Sequence, residues 1–195
     1  MYILTNSAII YPEGGIHMLE KRNYEYNKQL SFPAGTINGQ GRGKISTAHY
    51  GLYNMAYNGC GIIGLYNFYE LIGEHKELAD IAKEMYPIGA VLMGTFGTNP
   101  LKLGKYFHKQ GTLVSKTKSF SEFFNEFEKC DYAVISFWTG KKPFCSIHTV
   151  CLENAADGVI VYNYRNALRV PKKFNSLIAF LDNSNFIEGY IHYPV

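Results

Sequence analysis

Helical stretches followed by a run of strands predict an α+β protein, with helices packed on one mostly antiparallel sheet. Three observations carry this. Apolar residues recur at three- and four-residue spacing in successive segments between residues 60 and 127. From residue 132 onward short β-branched and aromatic runs take over. Two of those runs, 147–152 and 159–163, are joined by the turn Ala155-Ala156-Asp157-Gly158 and read as a hairpin.

Along the chain, Tyr2 to Tyr11 reads as a strand-like start and Pro12 to Gly15 as a turn. Residues 35–44 contain Gly35, Gly39, Gly41 and Gly43. That density of glycine predicts a mobile linker or a loop lying over a site. It is not a phosphate-binding loop. The position five before the Gly43-Lys44 pair is Asn38, and Ile45 follows where Ser or Thr is needed. A boundary is therefore expected near residue 44, with 1–44 an N-terminal extension and 45–195 the main domain.

A helix is predicted from Cys60 to Ile72. Ile62, Leu65, Tyr66, Tyr69 and Ile72 form its buried stripe, with Asn67, Glu70 and Glu74 on the other side. A second helix follows from Leu78, Ile81, Ala82 and Met85. The third opens with Asn99 as cap and Pro100 at its first position, and stops at Gly111. The fourth begins at Ser119 with Glu122 three residues on, a capping-box pattern over Phe120, Phe123, Phe124 and Phe127. Tyr132 to Trp138 is nearly continuous apolar and reads as a central strand. Beyond Pro171 come a short helix, Leu177 to Leu181, and a last strand, Phe186 to His192.

Composition bounds the possibilities. The chain has 195 residues, 47% of them hydrophobic and 18% charged, enough for a packed core and too few charges for a disordered chain. The net charge is +3, and its densest lysines, from Lys102 to Lys118, read as a solvated helix face, so no nucleic-acid partner is expected. Four cysteines do not make a disulfide framework. No basic leader opens the sequence and no apolar run approaches the ~20 residues of a spanning helix, so a cytoplasmic location without membrane insertion is expected.

The chemistry-bearing residues are Cys60 between two glycines at a helix start, His148 heading the hairpin, and Asn163 at the hairpin's end. A thiol is nucleophilic as its thiolate. A helix N-terminus or a neighbouring histidine lowers the free value of about 8.5 to roughly 3.5–7.5. Gly59 permits a sharp entry to the helix, and Gly61 and Gly64 keep its surface low for a strand to approach. A third group must orient the imidazole. Asn163 is offered for that role, with Asn166 its rival. Tyr50, Tyr53 and Tyr57 precede the nucleophile and are candidates to line a cleft. A zinc reading of Cys145, His148 and Cys151 fails, because offsets of three on a strand place the cysteines opposite the histidine.

Several segments in this order resemble the papain-like cysteine peptidases, and within them the double-glycine peptidases that process bacteriocin leaders. They are NGCGIIGLYNFYELIG (58–73), GTNPLKLGKYFHKQG (97–111), SFSEFFNEFEKCDYAVISFW (119–138) and HTVCLENAADGVIVYN (148–163). The resemblance covers roughly residue 45 to the C-terminus. It implies a papain-like fold, a Cys60-His148-Asn163 triad, a peptide or protein substrate with small residues before the scissile bond, and no metal or organic cofactor. The family places a glutamine six residues before the nucleophile as oxyanion donor; here that position is Asn54, with Asn58 a second candidate. Gly59 also stands where the family often has aspartate. The implied activity is a thiol protease acting through a thioester. Two alternatives remain: acyl transfer from the same thioester, or a non-catalytic peptide-binding module of the same fold.

Overall fold

The computed structural model describes residues 13–32, 34–140, 145–182 and 185–193. The strand-like start at residues 2–11 lies outside them. In chain order the elements are α1 (Glu13–Lys28), β1 (His49–Tyr50), β2 (Tyr53–Asn54), α2 (Met55–Asn58), α3 (Cys60–Leu71), α4 (Leu78–Gly89) and α5 (Leu103–Gln110). There follow β3 (Val114–Thr117), α6 (Phe120–Phe127), β4 (Tyr132–Thr139), β5 (Ser146–Ala155), β6 (Gly158–Tyr162), β7 (Lys172–Phe174), α7 (Leu177–Phe180) and β8 (Phe186–His192). Six strands form one sheet in the order β3-β8-β4-β5-β6-β7, every neighbouring pair antiparallel.

Alternation along the strands feeds two cores, one on each face of the sheet. On one face Val134, Cys151 and Tyr190 pack against the apolar sides of α3, α4 and α5. On the other, Ile135, Phe137, Val150 and Leu152 meet Phe123 and Phe127 of α6 and Leu177 of α7. The run 132–138 is apolar but for Ser136 because β4 is an interior strand, covered on both faces and flanked by β8 and β5.

The local helix signals act as expected. The Asn99 side chain accepts from the Leu101 N–H at 3.0 Å. Pro100 to Lys102 form a 3₁₀ turn that leads into α5, and Gly111 ends the helix in the left-handed region at φ 72°. The Ser119 hydroxyl accepts from the Glu122 N–H at 3.3 Å. The Glu122 carboxylate does not close the box; it accepts instead from the Thr117 hydroxyl at 2.6 Å.

Three features differ from the sequence reading. Residues 13–15, read as part of a turn, begin the 16-residue helix α1. Its inner face is polar: Asn23 donates to the Gly51 carbonyl, and Asn27 pairs with both backbone groups of His49. No apolar stripe announces such a helix. Asn67, read as outward, is fully buried in α3 and bonds both backbone groups of Ile37. The strands β3 and β7 sit at the two edges of the sheet and were not read from the sequence.

The glycine-rich segment 35–44 is a strap packed across the domain. Ile37 and Gln40 are buried, and Gly41 donates its N–H to the Asn166 carbonyl at 3.0 Å. A Cβ on Gly41 would lie 3.1 Å from that same oxygen, so the close approach of the two backbones leaves little room for a side chain there. Ile37 and Ile45 share one core with α3 and α4, so packing is continuous across the expected boundary at residue 44.

Candidate active site

Cys60 is the first residue of α3 and is partly buried. Gly59 enters the helix with ordinary right-handed torsions, φ −83° and ψ 0°. It is needed for space rather than for an unusual torsion, since a Cβ there would sit 2.7 Å from the Met55 carbonyl oxygen. An aspartate at this position would collide with α2. Gly61 faces Thr98 and Gly64 faces Thr149, at 2.8 Å and 3.1 Å for an added Cβ. Only Gly64 therefore meets the histidine strand. Thr149 lies next to His148, so Gly64 sets how closely β5 approaches the helix. Gly64→Leu is expected to push β5 away and slow alkylation of Cys60 by iodoacetamide about tenfold, with a destabilisation of roughly 1–3 kcal/mol from overpacking. Thermal unfolding and alkylation kinetics on one sample check both.

His148 lies on β5 directly opposite Phe137 of β4, and the two rings meet edge to face at 5.9 Å. Its Nε2 is 2.8 Å from the backbone carbonyl oxygen of Asn163. A carbonyl only accepts, so Nε2 carries the proton and Nδ1 is the nitrogen left for the thiol. Cys60 and His148 line the same cavity, and each shifts the other's titration. Burial alone would raise the Cys60 pKa. The hydrogen bond and charge of His148, with the backbone N–H groups of Thr149 and Gly61, outweigh it and hold the thiol below its ordinary value. Burial likewise opposes the imidazolium, yet Cys60 and the carbonyls of Asn163 and Tyr164 raise His148 above its ordinary value. Both shifts move the pair toward thiolate and imidazolium.

Two other thiols, Cys130 and Cys151, are shifted the opposite way. Burial, with Asp131 and Glu126 nearby, pushes Cys130 up to about 12. Cys151 is pushed up further, chiefly by burial. It packs in the α3-side core, whereas His148 shares the opposite face with Phe137. No group of three His, Cys, Asp or Glu side chains suited to a metal occurs among the described residues.

Asn163 is brought to the histidine, though not by its amide. Its main-chain carbonyl touches the imidazole, and its side chain turns away to Gln40. The residue sits in the left-handed region at φ 59°, which asparagine tolerates better than most residues. Gln40 holds it from both ends: the Gln40 N–H donates to Asn163 Oδ1 at 3.2 Å, and Asn163 Nδ2 donates to Gln40 Oε1 at 2.8 Å. The Asn163 N–H donates in turn to Asn38 Oδ1 at 2.8 Å. The rival Asn166 bonds the Ala56 carbonyl from the exposed rim.

Cys60, His148 and Gln40 line one open cavity of about 500 Å³, walled by Phe137, Trp138 and Tyr164. Tyr57 stands at its rim, 68% exposed; Tyr50 is buried in the core, and Tyr53 lies off the cavity. Asn54 does not reach the cavity. It is exposed at the end of β2, paired in register with His49. Asn58 is buried with its amide N–H groups on the carbonyls of Tyr50 and Gly94, at 2.7 Å and 2.5 Å. Both of its donors are spent on the fold. Of the side-chain amides lining the cavity, those of Gln40, Asn166 and Asn185, only Gln40 is buried, and its Nε2 donates one N–H to the Ala56 carbonyl at 3.2 Å. An amide nitrogen carries two N–H groups, so a second remains. The sequence reading missed Gln40. It lies 20 positions before the nucleophile, and only the strap carries it there.

No described helix is long and apolar enough to cross a membrane. A scan against models of known protein families finds none that matches this chain, and a search of curated proteins finds no match.

Proposed function

We propose that this protein is a papain-like cysteine peptidase. The observation that carries the reading is the Cys60 thiol at the start of α3, sharing an open cavity with a histidine whose Nε2–H is anchored on the Asn163 carbonyl. In this reading the Cys60 thiolate attacks a peptide carbonyl. The second Gln40 N–H and the Cys60 backbone N–H hold the oxyanion. The His148 imidazolium gives its proton to the leaving amine, and the thioester forms. The neutral imidazole then takes a proton from water as the water releases the acyl group. The Asn163 carbonyl keeps the imidazole aligned through both steps. The nucleophile works only as a reduced thiol, which suits a cytoplasmic setting.

Two measurements test this. With limiting iodoacetamide near pH 6, peptide mass spectrometry is expected to find Cys60 labelled before Cys130, Cys145 and Cys151. A peptide library read by mass spectrometry is expected to show cleavage by the native protein and none by Cys60→Ala. Added amine in the same assay separates hydrolysis from acyl transfer. Preferential labelling of another cysteine, with no cleavage of the library, would refute the reading.

A further inference from the structure

From the cleft, a cationic track runs along the β6–β7 loop onto the strap. Arg165 lines the cleft, and with Lys172 it lines an adjoining cavity of about 470 Å³. Arg169, from the same loop, lines a third cavity of about 710 Å³ together with Arg42 and Lys44 of the strap. Neither of these two cavities has an acidic residue in its lining. None of the five cations forms an ion pair with a described residue, whereas the next lysine, Lys173, is bridged to Asp157. The loop and strap are fastened to each other by the Gly41 N–H on the Asn166 carbonyl, which keeps both sets of charge on one surface.

Two aromatic rings of the track lie beneath its cations. The Arg165 guanidinium lies over Tyr164 at 5.0 Å and the Lys172 ammonium over Phe174 at 6.0 Å. Stacked bases need a row of open aromatic faces, and along 164–174 these two rings are engaged by the protein's own cations. Carboxylates need only reachable cations, which it does. We infer that the track binds an acidic stretch of the peptide substrate, running from the cleft along 165–172 to Arg42 and Lys44. This rests on the peptidase reading of the cleft. It names the substrate class as peptides with Asp or Glu clustered beside the cleavage site. Asn38 lines the cavity of Arg42 and Arg169 and also holds the Asn163 N–H, so an occupied track would brace the carbonyl that orients His148.

The test is a binding measurement on Cys60→Ala protein, so it needs no turnover. A fluorescent peptide of alternating Glu and Gly is titrated by anisotropy, with the Gln-Gly peptide as control. The acidic peptide is expected to bind, and to weaken about tenfold or more between low and physiological salt. In the combined variant Arg42→Gln, Lys44→Gln, Arg169→Gln it is expected to weaken by a similar factor. All three side chains are exposed. Unchanged alkylation of Cys60, when the same three changes are made on the native thiol, shows that the variant is folded. Equal binding of both peptides, equal binding to the variant, or displacement of the peptide by a tighter-binding oligothymidylate of equal charge would each overturn the proposal. Binding by a protein that cleaves nothing would sink the peptidase reading and leave the acidic-peptide site standing.

Discussion

Gln40→Ala is expected to lower peptide turnover by about 10²–10³-fold, the usual loss for one oxyanion donor, or roughly 2.7–4 kcal/mol of transition-state stabilisation. Asn54→Ala is expected to leave turnover unchanged, because Asn54 is exposed and outside the cavity. Gln40 also grips Asn163, so its loss could act through the histidine instead. Alkylation of Cys60 separates the two routes, since alkylation develops no oxyanion. Lost turnover with unchanged alkylation at pH 6 assigns Gln40 to the oxyanion. An equal fall in both assigns it to positioning the Asn163 carbonyl. A large effect of Asn54→Ala beside a silent Gln40→Ala would return the donor role to position 54.

His148→Ala is expected to slow iodoacetamide alkylation of Cys60 at pH 6 by on the order of 10²-fold. Without the imidazolium, only the backbone N–H groups of Thr149 and Gly61 oppose burial, so the thiol pKa is expected to rise and little thiolate to remain in mild acid. The sign for the native protein follows from the two shifts. The lowered thiol pKa keeps thiolate present below the ordinary cysteine range, lost only as pH falls through the lowered value. The raised His148 pKa keeps imidazolium present above the ordinary histidine range, lost as pH rises through the raised value. Turnover is therefore expected to be bell-shaped, its acid limb set by thiol protonation and its alkaline limb by loss of the imidazolium proton. In His148→Ala the alkylation profile is expected to move to higher pH. A profile that does not move would mean that the helix N-terminus alone activates Cys60.

Much of this protein was legible in the sequence because the signals concerned are local. The Asn99 and Ser119 caps and the Gly111 stop act within a few residues and are seen in place. The interior strand β4, the β5–β6 hairpin and the strand Phe186–His192 follow from runs of side-chain type. Cys60 and His148 were found because a thiol at a helix start and a histidine heading a hairpin are visible residue by residue.

Only the tertiary structure decided what joins distant segments. Gln40 and Asn163 are 123 positions apart, and Asn38 and Asn163 are 125 apart. A single hydrogen bond at that separation leaves no periodic mark. The helix α1 was hidden for a related reason, since Asn23 and Asn27 line its inner face and no apolar stripe records it. The edge strands β3 and β7 are short and half exposed, and their identity comes from their partners β8 and β6. The group that anchors His148 could not have been read at all. A main-chain carbonyl belongs to every residue type, so its place beside the imidazole is set by the backbone torsions at Asn163 and by the strap that holds them.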